Sequence, residues 1–126
     1  MQDVTVLRPV ERLSLDPVRI AAIYRDFGPG GAETVIARAL NEMALLVPPL
    51  GRAYDGGDFA EFSRGLARLQ RLADRSGLAG LSFAALAVAD CATHGDATAL
   101  AATWDRLTRL IELAMETGAG LRGLSG

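Results

Sequence analysis

Apolar residues recur every three or four positions through most of this chain, with polar residues filling the intervals. The pattern is clearest from Asp58 to Arg75, where Phe59, Phe62, Leu66, Leu69 and Ala73 make one helical face. Arg64, Ala67, Arg71 and Asp74 make the opposite face, with Arg68 beside it. Asp58 stands where an N-cap belongs and Glu61 follows three residues on, close to a capping box. The next helix, Leu78 to about Thr93, carries no charge from Leu78 through Ala89. Leu78, Leu81, Ala85, Val88 and Ala92 form one stripe on it; Phe83, Leu86 and Ala87 form a second. Such a helix is expected to lie centrally, with the N-terminal arm or a dimer partner covering what remains. The last helix starts at the cap Asp96 and runs to about Thr117. Leu100, Trp104, Leu107, Ile111 and Ala114 face inward, while Asp105, Arg106, Arg109, Glu112 and Glu116 face water. Asp105–Arg109 is a favourable one-turn pair and Glu112–Glu116 an unfavourable one.

Two further helices are predicted upstream. Asp16 caps the first and Pro17 takes its first turn, where a missing amide loses nothing. Val18, Ile23 and Phe27 give that short helix an inward side, and Gly28-Pro29-Gly30-Gly31 stops it. This glycine-rich turn lacks the preceding strand and the following Lys-Ser/Thr of a phosphate-binding loop. The second helix runs from about Ala32 to Leu46, with Ile36, Leu40, Met43 and Val47 inward and Arg38, Asn41 and Glu42 outside. Pro48-Pro49 predicts a break or sharp kink, followed by a short helical piece reaching Gly56-Gly57. Residues 1–14, with Val4, Val6, Leu7, Val10 and Leu13, read either as an extended arm on the bundle or as a loose terminus. Residues 15–117 form a single domain and 118–126 a flexible tail. The expected fold is all-α, an up-down antiparallel four-helix bundle with an additional short N-terminal helix.

Composition narrows the function. With 126 residues, half of them hydrophobic, the chain can bury a core of its own. Thirteen basic residues, all arginine, against fifteen acidic ones give a net charge of −2, without the basic surface a nucleic-acid binder needs. One cysteine excludes an internal disulfide. No apolar run approaches the ~20 residues of a membrane span, and no secretory signal opens the chain, so a cytoplasmic location is expected.

Ser76-Gly77-Leu78 between two helices and Gly95-Asp96 before the last one resemble the turns of histidine phosphotransfer (HPt) domains, helical bundles that pass phosphoryl groups between receiver domains. The resemblance covers roughly residues 15 to 117 in helix order and turn placement. It puts Ala67 at the position of the family's phosphoacceptor histidine, Gln70 at that of its lysine and Arg71 at that of its small glycine. The implied protein is a non-catalytic HPt-like member of a bacterial phosphorelay or two-component system. It would bind a receiver domain or histidine kinase through Arg64, Arg68, Gln70 and Arg71 without carrying phosphate at position 67.

Two other readings stand beside it. One is a helical self-association module, possible as a homodimer through the two-sided apolar helix. The other is phosphotransfer through His94, the sole histidine, whose place before Gly95 also suits a helix C-terminus. One histidine and one cysteine make no metal ligand set, Cys91 reads as a small apolar residue, and no cofactor fingerprint or nucleophile–base pair is visible. No cofactor and no enzymatic activity are expected.

Overall fold

Asp16 opens the first helix as expected: its Oδ1 accepts from the amides of Val18 (3.1 Å) and Arg19 (3.2 Å), with Pro17 at the first helical position. The computed structural model describes residues 14–116, and the N-terminal arm and C-terminal tail otherwise lie outside them. Among the described residues four helices follow in order: α1 (Pro17–Gly56), α2 (Phe59–Arg75), α3 (Ala79–His94) and α4 (Ala97–Glu116). Each packs on its successor and α1 also packs on α4, which closes a four-helix bundle. Two- and three-residue connections reverse the chain between helices.

α1 consists of two helical pieces that meet at a kink, and the kink falls at the glycine-rich turn where the short N-terminal helix was expected to stop. Gly28, with φ 73° and ψ 170°, is non-helical and separates the piece that starts at Pro17 from the piece that follows, with no longer loop between them. The break expected at Pro48-Pro49, by contrast, is absent: both prolines lie inside α1 with helical backbone around them. Their rings are exposed while Met43, Leu50 and Ala53 on either side are buried. The carbonyls of Ala44 and Leu45, which lose their amide donors, therefore lie on the solvent side of the helix, where their desolvation cost is small. Packing of the buried residues holds the two halves in one helix.

The core follows the stripes. Ile36, Leu40 and Met43 from α1, Phe62, Leu66 and Leu69 from α2, Leu81, Ala85 and Val88 from α3, and Leu107, Ile111 and Ala114 from α4 are buried together. Gly65 lets α2 approach α1 closely, since a Cβ there would stand 2.5 Å from Leu50 Cδ2. Three residues expected to face inward do not: Val18 is 79 % exposed, Phe27 58 % and Phe59 49 %. Val18 and Phe59 lie in the first turns of their helices and Phe27 beside the kink at Gly28, where fewer helices surround a side chain than at mid-bundle. The second stripe of α3 is uncovered as well, with Phe83 69 % and Leu86 49 % exposed.

The α2–α3 turn is built tightly. Leu78 N–H donates to Ala73 O (2.9 Å) and Gly77 N–H to Asp74 O (3.2 Å), the paired bonds of a Schellman cap around left-handed Gly77 (φ 75°). Residues 14–16 cross this turn as a strap. Asp16 N–H donates to Gly77 O (2.8 Å), Gly80 N–H to Ser14 O (2.9 Å), and Leu15 bridges Leu78 in antiparallel fashion. Ser76, Gly77 and Leu78 are buried beneath it.

Candidate functional site

The outer face of α2 carries most of the candidate residues. Asp58 Oδ1 caps the helix by accepting from Glu61 N–H (3.1 Å), but Glu61 does not complete the capping box. Its carboxylate turns along the helix instead and accepts from Arg64 Nη2 at 2.7 Å. That hydrogen bond, with the attraction of the same carboxylate, raises the Arg64 guanidinium further above its ordinary range. Arg64 is thus a charge already answered on its own helix.

Arg68 and Arg71 are exposed and form no ion pair among the described residues. Ala67 is exposed beside Arg68, one turn from Arg64 on one side and from Arg71 on the other. The face therefore presents guanidinium groups around a methyl group. No histidine lies on α2, so the nitrogen nucleophile that phosphotransfer through this face requires is missing.

Gln70 does not belong to that face. It is half-buried, and its Nε2 donates to Ser82 Oγ of α3 at 3.0 Å. Ser82 is itself 7 % exposed, so the pair is a polar link set between two packed helices. Sequence reasoning missed it, although Ser82 is the lone hydroxyl in the uncharged run of α3. A double-mutant cycle of Gln70→Ala and Ser82→Ala should return a coupling energy of about 0.5–1.5 kcal/mol in urea unfolding. Strict additivity would show that the bond contributes nothing.

His94 is the last residue of α3, followed by left-handed Gly95 (φ 71°). Its Nδ1 lies 2.8 Å from Asp90 O, an acceptor, so Nδ1 carries the proton. Asp90 Oδ1 is 3.5 Å from the same nitrogen, and the imidazole is 69 % exposed. These contacts hold the ring at the end of its own helix. Cys91 is half-buried with a free thiol, and no three His, Cys, Asp or Glu side chains cluster to hold a metal among the described residues.

A concave feature also spans two helices. A groove of 230 Å³ between α3 and α4 is lined by Ser14, Gly80, Phe83, Ala87, Arg106 and Leu110. Ala84 and Thr103 complete the lining, which mixes apolar side chains with Ser14, Thr103 and Arg106. No helix among the described residues is long and apolar enough to cross a membrane. No family model, curated protein or solved structure matches this chain.

Proposed function

We propose that this chain is a non-catalytic helical binding protein that receives an acidic partner on the outer face of α2. The observation that carries the reading is the grouping of Arg64, Arg68 and Arg71 around exposed Ala67, with Arg68 and Arg71 free of ion pairs among the described residues. Guanidinium groups recognise carboxylates by paired N–H donors and steer an acidic surface into register. The small residue at the centre of the face lets that surface approach the helix closely.

The HPt resemblance names a partner class of this kind. A receiver domain offers an acidic pocket, and its cognate kinase a surface that accepts receivers. Docking without phosphate transfer fits an alanine at position 67. Gln70, turned toward Ser82, takes no part. Self-association is the second reading, favoured by the exposed Phe83 and Leu86 on α3. Phosphotransfer through His94 has exposure alone in its support.

The test is capture of partners from the native cytoplasm by the wild-type chain and by Arg64→Glu/Arg71→Glu. Wild type should retain a receiver-domain protein or histidine kinase that the double variant loses. Equal capture by both, or capture of neither class, overturns the docking face. Both positions are exposed, so the variant should keep its fold, and an unchanged circular dichroism spectrum verifies that.

A further inference from the structure

We infer that the uncovered face of α3 seats a second copy of this chain. The two α3 helices run antiparallel across a two-fold axis, and Asp90 of each copy meets the partner subunit's Arg106. This dimer rests on the self-association reading and leaves the arginine face of α2 unused.

Helical spacing defines the face. Ala79, Phe83, Leu86 and Asp90 follow one another by four, three and four positions, which sets them in one line down the outside of α3. Phe83 is 69 % exposed and Leu86 49 %, while Leu81, Ala85 and Val88 on the other side of the helix are buried. No charge precedes Asp90 on α3. A face meant for water would interleave charges with these rings and methyls; this one is built to be covered.

Charge selects the occupant and its direction. Asp90 lies toward the C-terminal end of the face. Toward the other end, Arg106 of α4 lines the same groove as Phe83 and Ala84. Arg106 has no ion pair among the described residues, and Asp90 has the exposed imidazole of His94 at 3.5 Å. The acid and the base are offset by about 10 Å along α3, seven residues at roughly 1.5 Å each.

A two-fold axis passing midway between Leu86 and Ala87, across the helices, removes that offset. It brings each Asp90 to the level of the other copy's Phe83, and so beside Arg106. Both α4 helices then fall on the same side of the α3 pair, and each Leu86 faces a small Ala87. A parallel pair would instead set the two Asp90 carboxylates together and leave both arginines unanswered. The face carries an acid and a base on opposite sides of its centre, the self-complementarity that an isologous interface requires. An unrelated partner would have to supply both charges at the same spacing.

Sedimentation velocity of the full-length chain at low ionic strength, from the low micromolar to the millimolar range, should show a monomer giving way to a dimer. Asp90→Arg and Arg106→Asp should each weaken that dimer about tenfold or more, since either substitution creates two like-charge contacts. Joining both substitutions in one chain should restore dimerisation to within about threefold of wild type, with the net charge unchanged. An equimolar mixture of the two single variants should recover as well, because opposite charges then meet at both contacts. The two positions are exposed, and unchanged circular dichroism spectra verify that the fold is kept. A wild type that stays monomeric throughout overturns the inference together with the self-association reading. A dimer indifferent to the single substitutions, or one that neither combination rescues, overturns the α3 geometry alone.

Discussion

Phe62→Ala should remove about 3–5 kcal/mol from the free energy of unfolding, the range for truncating a fully buried phenylalanine. Phe62 has no exposed surface and sits where three helices meet. Its ring centroid lies 5.5 Å from that of Tyr54 on α1 and 5.4 Å from that of Trp104 on α4, the latter edge-on at 70°. Tyr54 and Trp104 also approach each other at 6.2 Å, so the truncation opens the centre of an aromatic cluster that cannot close without moving α1 or α4. Against a typical total of about 5–15 kcal/mol, such a loss shifts the urea midpoint far. Trp104 is the sole tryptophan, so its fluorescence reports the transition and the change in its own surroundings. Phe59, also in the cluster at 6.3 Å from Phe62, is 49 % exposed, and Phe59→Ala should lose only about 1 kcal/mol. Equal losses for the two would show that the cluster does not pivot on Phe62.

Gly77→Ala should be nearly as damaging, for a different reason. A left-handed backbone costs a residue with a Cβ about 1–2 kcal/mol. Gly77 (φ 75°) adds a steric demand, because its Cβ would stand 2.7 Å from Ile20 Cδ1 and 2.9 Å from Ile20 Cγ1. The β-branched Ile20 has little rotamer freedom with which to retreat, and overpacking typically adds about 1–3 kcal/mol. The two together give roughly 2–5 kcal/mol. Gly57 provides the control: its φ is 74° and nothing lies within 4 Å of the same Cβ. Gly57→Ala should lose only the backbone part. Urea unfolding of the two variants side by side isolates the contact between the first turn of α1 and the α2–α3 turn, and indistinguishable midpoints would mean that Ile20 yields.

The sequence made the helices legible wherever two signals agreed. At Asp58 and Asp96 a capping carboxylate precedes a clean three-four apolar rhythm, and both helices begin there. Gly77 and Gly95 end helices because only the left-handed region turns the chain out there, and glycine enters it freely. Where one local signal stood alone, tertiary packing overrode it. Pro48-Pro49 disfavours a helix locally, but burial of Met43 and Leu50 on either side outweighs two hydrogen bonds lost on the wet face. Phe59 keeps the inward rhythm of α2, but no helix extends over the first turn to cover it. On the candidate site, periodicity placed Arg64, Arg68 and Arg71 on one exposed face correctly. It could not see that Gln70, at the margin of that face, would find Ser82, because a partner on another helix leaves no trace in the spacing of its own. The strap was equally hidden, since its bonds are made by backbone groups that every residue possesses.

The way the chain returns on itself also sets the tempo of its assembly. Turns of two or three residues join α1 to α2, α2 to α3 and α3 to α4, so most partners in the core are near neighbours along the chain. Topologies of that sort search little conformational space and fold in microseconds to milliseconds. The packing of α1 on α4 and the strap are the exceptions, and the strap spans the most chain for the fewest bonds: Ser14 and Asp16 reach Gly80 and Gly77 only after α1 and α2 have both been traversed. Closing that large loop gains little until the two helices are in place, so the strap fastens last and loosens first.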